Sequence, residues 1–196
     1  MPLSDPATCA ALTGELERAR VAAARFPTVA DAEAAGYRQS SRYAPGQGAH
    51  FTKLDAIDGE FDPAEPEVLM LTGEAPGDTI VGASYFLVAP DGLPVDRDVG
   101  FTGPNDRWHR HASLCQDAAG IAVAESECDA GRATVVPDRG GWMTHAWVVP
   151  GCESDWGTFS GANPRVKVLP TPDTVFDRGC GSGLSVTDPL TLDLVP

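Results

Sequence analysis

Lysine is scarce in this 196-residue chain: Lys53 and Lys167 are its lysines, arginine supplies the other cations, and 14 basic residues face 28 acidic ones. The formal net charge is −14 and the isoelectric point is near 4.5. A surface of that sign argues against nucleic acid, whose phosphates need clustered Lys and Arg. It argues equally against attraction to an anionic membrane face. Long apolar runs are also lacking. The best stretches, SYFLVAP and HAWVVP, fall well short of the ~20 residues that span a bilayer, so no membrane insertion is expected. GASYF and FSGAN each lack a flanking glycine of the nucleophile elbow, and neither GQGAHF nor GCGSG completes a phosphate-binding GxGxxG. There is no CxxC pair and no internal repeat. The opening MPLSDPATCA shows neither the charged start nor the apolar stretch of a signal peptide.

What is present is an ordinary folded composition, 42% hydrophobic and 21% charged, at the length of one domain with a proper core. Cys9, Cys115, Cys128, Cys152 and Cys180 are widely spaced, and the last three stand in loop-like Gly, Asp and Glu surroundings. One or two disulfides are expected there, with Cys128 or Cys152 as the partner of Cys115, and disulfides belong to oxidising compartments. The expectation is therefore an exported protein in its mature form, with a cytoplasmic one as the alternative.

The segment from Asp5 to Phe26 reads as a helix. Asp5 is an N-cap, Pro6 occupies the first helical position, and Leu12, Leu16, Ala19, Ala23 and Phe26 recur at helical spacing before Pro27. Thr28 opens a second short helix, with Asp31 at the capping-box position and Gly36 as its stop. Strand-like runs then follow: AHFTKL, EVLML, TIVGASYFLVA, RWHRHASLC, GIAVAE, ATVV and WMTHAWVV, divided by Gly/Pro/Asp turns. The expected organisation is a helical segment over 1–36, a β domain over 37–169 and an extended tail over 170–196 held by Cys180. The fold class is mainly β, a barrel or sandwich with an N-terminal helical segment. Carboxylate runs such as EFDPAEPE and ESECD read as solvated turns.

The chain has four histidines, His50, His109, His111 and His145, each in or at the mouth of an expected strand. On a strand, residues two apart share a face. RWHRHASLC therefore places His109 and His111 together, with Ser113 and Cys115, and sends Trp108 and Arg110 to the other side. His145 shares a face with Met143 and Trp147, and His50 follows a glycine-rich turn. A lone histidine on a strand is more often a hydrogen-bonded residue than a ligand, and an HxH pair also occurs without metal. Three or four imidazoles converging in a β scaffold nevertheless form the set preferred by zinc, copper, nickel or iron. The expected cofactor is one such ion, zinc or copper foremost, with a small-molecule substrate as a further partner. Asp106 is placed to orient an imidazole from outside the metal shell, and Met143 to add a soft ligand.

Gly103, His109, His111 and Cys115 resemble the first metal motif of cupins, with Cys115 at the place of that family's glutamate, and His145 after Gly140-Gly141 resembles its last ligand. The resemblance implies a β-barrel and a mononuclear metal site. A looser pattern, with GxH at Gly48–His50, PEVLML, GASYFLV and HAW, is similar to a group of exported, mainly actinobacterial proteins. It implies that His50 is a ligand and that Tyr85, preceded here by Ser84, lies near the site. Three functions follow as expectations. The first is a metalloenzyme, an oxygenase or a hydrolase/lyase; the second is an exported copper or zinc carrier; the third is a disulfide-stapled interaction module whose histidines are incidental.

Overall fold

A computed structural model describes residues 5–89, 99–137 and 140–166. Helix α1 (Pro6–Ala23) starts where local chemistry dictates: the Thr8 N–H donates to the Asp5 carboxylate at 2.8 Å, and Pro6 sits in the first turn. Helix α2 (Val29–Ala34) has the full capping box between Thr28 and Asp31. Gly36 then takes φ 97°, a left-handed conformation that ends the helix.

The strands that follow are β1 (Arg38–Gln39), β2 (Ala49–Thr52), β3 (Val68–Leu71), β4 (Ile80–Val88), β5 (Ser113–Gln116), β6 (Ala122–Val123), β7 (Thr134–Pro137) and β8 (Gly141–Ala146). They make two antiparallel sheets: a five-stranded one in the order β1-β2-β3-β4-β8, and a three-stranded one in the order β6-β5-β7. The protein is mainly β with an N-terminal helical layer, and among the described residues the sheets do not close into a barrel. The tail over 170–196, with Cys180, lies outside the described residues.

Two expectations change. RWHRHASLC is a strand only from Ser113; before it, His109 makes a single antiparallel bridge to Met143. ESECD is a short helix, α3 (Glu125–Asp129), rather than a turn. Its position is set by the Cys115–Cys128 disulfide, which ties it to β5. Cys152 is also disulfide-bonded, and Cys9 carries a thiol.

The two faces of the large sheet have different fates. Phe51, Leu69, Ala83, Tyr85 and Ala146 share one face and pack against Ala19, Ala23, Val29 and Ala32 of the helices. Burial of each larger apolar side chain contributes about 1.5–3 kcal/mol. A ring nest of Phe61, Tyr85, Phe101 and Phe159 extends this core, with centroids 4.8–5.2 Å apart. The opposite face carries His50, Met70, Gly82, Ser84 and His145, in the register His50↔Met70↔Gly82 and Ser84↔His145.

That second face is closely packed at its centre. A Cβ on Gly82 would lie 2.5 Å from Met70 Cε and 3.1 Å from Trp147 Cε3, so Met70 of β3 and Trp147, just past the end of β8, already lean over it. A register shift between Met70 and Leu71 supplies a local bend. Gly48, at φ 77°, begins the turn into β2, and a Cβ there would run into the Leu71 carbonyl. Gly48→Ala is expected to lower stability by about 1–3 kcal/mol, through a strained φ and a backbone clash. The midpoint of urea unfolding measures this, and an unchanged midpoint would show that the turn relaxes freely.

Candidate metal centre

His50 stands on β2 and His145 on β8, with β3 and β4 between them. In a flat sheet three inter-strand steps amount to about 14 Å between backbones. The ring centroids are 5.6 Å apart with the ring planes tilted by 40°, so the curl of the sheet, together with the small Gly82 and Ser84 beneath, brings them together. His109 arrives from beyond β8: its N–H donates to the Met143 carbonyl at 2.8 Å and its carbonyl accepts from the Met143 N–H at 2.8 Å. This sets its ring 5.1 Å from that of His145. His111 lies 5.5 Å from His109.

The alternation expected of RWHRHASLC survives although most of the strand does not. Trp108 packs against Phe61 of the ring nest, and the Arg110 guanidinium lies over Trp142, 5.7 Å from the ring centre. Both belong to the side away from the histidines. All four imidazoles thus form one row, graded in burial from His50 and His145, which are buried, through the half-buried His109 to the exposed His111.

The hydrogen bonds fix which nitrogen faces inward. His145 Nδ1 lies 3.0 Å from the Gly161 carbonyl. A carbonyl only accepts, so in the neutral ring Nδ1 carries the proton and Nε2 keeps its lone pair. His50 Nδ1 lies 2.9 Å from Ser41 Oγ, which also accepts the His50 backbone N–H at 3.1 Å. The Nε2 atoms of His50 and His145 are both buried without a protein partner. Tyr43 OH and Thr144 Oγ1 share that condition elsewhere, and Thr144 is the register partner of Tyr85 on the helix-covered face.

Burial keeps these rings neutral. It pushes the pKa of His50 down to about 4, helped by the positive charge that His109 and His111 would bring. Burial also holds His145 well below the usual imidazole range, with His50 and His109 adding to it, and lowers His109. Among the described residues, no three His, Cys, Asp or Glu groups meet closely enough, as the side chains stand, to hold a metal ion. The imidazoles make a row of adjacent pairs rather than a closed cage.

The other residues singled out in the sequence fall as follows. Met143 is on the His145 face and pairs with His109 through its backbone. Tyr85 is turned to the opposite face, where its hydroxyl donates to the Pro63 carbonyl at 2.8 Å. Asp106 is buried and accepts from Trp108 Nε1 at 2.8 Å. Trp147 stands 5.9 Å from His145 and walls the row.

Three contributors escaped the sequence reading. Ser41 and the Gly161 carbonyl orient rings far from them in the chain. Glu67, the last residue of EFDPAEPE, is no solvated turn residue: it is 2% exposed and accepts the Phe86 N–H at 3.0 Å. Burial raises its pKa to about 7. Compared with known proteins, the chain matches no family model, no curated protein and no solved structure.

The pKa shifts set a pH dependence for the metal-free protein. His50 binds its proton more weakly folded than unfolded, so stability is full above pH 6.5 and falls as pH drops towards about 4. The loss is about 3 kcal/mol for a shift of that size. Glu67 works in the other direction, favouring the fold below pH 4.5 and losing that contribution as pH rises through about 7. The difference between wild type and His50→Gln cancels the Glu67 part common to both. Urea unfolding from pH 7.5 to 4 is expected to show wild type losing more stability than His50→Gln; parallel curves would refute the assignment.

Proposed function

We propose that this chain is an exported transition-metal-binding protein that holds one ion through Nε2 of His50, His109 and His145, with His111 on the solvent side. The observation that carries the reading is the pair of buried, partnerless Nε2 atoms on rings whose Nδ1 is tied to Gly161 and Ser41. A buried imidazole nitrogen without a partner is costly, and a ligating histidine typically has its other nitrogen held in this way. The spacing agrees. Metal–nitrogen bonds of 2.0–2.1 Å at tetrahedral angles put ring centroids about 5 Å apart, against 5.1–5.6 Å along the row. Binding of one ion by three of these rings requires the row to close, with His50 and His109 brought together on either side of His145. Zinc and copper are the leading ions, with iron and nickel behind; Met143 beside the row favours copper. The Cys115–Cys128 bridge supports an oxidising compartment.

Capture and transfer of the ion is the better-supported use. The charged groups that act on His50, His109 and His145 are the other histidines, and no carboxylate among them offers the general acid or base that hydrolysis or lyase chemistry needs. The second reading, a cupin-like metalloenzyme, is favoured by the exposed end of the row. There a fourth position on the ion would take water, lowering its pKa towards ~7, or a small-molecule substrate.

Elemental analysis after loading with zinc or copper and desalting is expected to give about one equivalent. His109→Ala and His145→Ala should lose most of it while the metal-free variants still unfold cooperatively. At free metal one hundred times Kd, the wild type should gain about 2.7 kcal/mol of stability. Wild-type protein that retains no metal, or a His145→Ala protein that retains as much, would overturn the proposal.

A further inference from the structure

We infer that His111 is the port of this site: it takes a hydrated metal ion from solvent, passes it inward along the row, and receives it again on release. The inference rests on the metal-binding reading above and assigns the direction of traffic within it.

The geometry is that of a ladder with one exposed rung. His111 is open to solvent, His109 is half-buried, and His145 and His50 are 2% and 7% exposed. Every neighbouring pair stands 5.1–5.6 Å apart between ring centroids, the separation at which two imidazoles share one ion. The route is continuous: His111 with His109, His109 with His145, His145 with His50. The buried rings are closed off elsewhere. Trp147 stands against His145, and the segment carrying the Gly161 carbonyl lies against its Nδ1.

Transfer is plain ligand exchange. The His111 nitrogen forms a bond to the ion as one bound water leaves, and His109 then displaces a second water. His145 and His50 each displace a further water in turn, and a water takes the place of His111 when its bond breaks last. Each bond formed replaces one bond broken, and no electron moves. His109 is the pivot, since its ring neighbours both an exposed and a buried imidazole. Without His111, the ion must shed two waters at a half-buried ring with no prior anchor, which slows arrival and departure alike.

The test uses the full chain and cobalt(II), whose visible absorption reports the coordination reached. Loading is followed by stopped flow, and release by mixing the loaded protein with excess chelator. For His111→Ala, both rates are expected to fall at least ten-fold, while the end-point spectrum and the one-equivalent stoichiometry remain. His111→Cys, which restores a surface ligand, is expected to recover most of the loading rate. Because His111 is exposed, the metal-free variants should unfold at the wild-type midpoint. Unchanged rates in His111→Ala would overturn the port. An altered spectrum or lost stoichiometry would overturn it too, by making His111 a resident ligand. Wild type that binds no cobalt would sink the metal reading itself, a failure distinct from either.

Discussion

The candidate centre depends on the curvature of one sheet. Strands two and five of an open five-stranded sheet cannot bring side chains together unless the sheet bends about the face they share. Here the bend follows from what occupies that face: no side chain at Gly82, a small one at Ser84, and a register shift after Met70. The other face is filled by Phe51, Leu69 and Tyr85 against helical alanines. Bulk on the helix side is matched by small residues on the histidine side, where Met70 and Trp147 close in over Gly82.

Around the histidines the controlling chemistry is desolvation. Water withheld from His50 and His145 disfavours their protonated forms, leaving neutral rings with inward lone pairs. An acidic exterior of net charge −14 surrounds this neutral interior. Such a field raises the local concentration of cations at long range, and softness and geometry then choose among them at short range. In the proposed centre the two requirements of a metal site, attraction and selectivity, would be separated in space.

Local chemistry was legible in the sequence wherever a few adjacent residues decide the outcome. Asp5 with Pro6 starts α1, and Thr28 with Asp31 caps α2, as their types demand. Alternation through Trp108, His109, Arg110 and His111 holds although the strand is reduced there to one bridge, because extended backbone alternates whether or not it has ladder partners. What stayed hidden depends on contacts distant in sequence. Ser41 meets His50 through β1–β2 pairing, and Gly161 reaches His145 because the following loop folds back, with Trp147 Nε1 donating to the Ser160 carbonyl. Nothing local in EFDPAEPE marks its last carboxylate for burial. Glu67 is drawn in because the Phe86 N–H, past the Val68 end of β3, donates to its carboxylate. Of the two expected architectures, barrel or sandwich, the barrel is a fold-level extrapolation from strand-like runs, and the described strands divide between two sheets without closing.

The small sheet is attached at both extremities of the imidazole row. Through Ala122 of β6 it bonds Ser40 and Arg42, the residues on either side of the serine that holds His50, and β5 begins two residues after His111. It is therefore a strut whose length fixes the span of the row, and the Cys115–Cys128 bridge braces it. A chain with that brace cut keeps every histidine in place in the sequence but loses the gauge that spaces the first from the last.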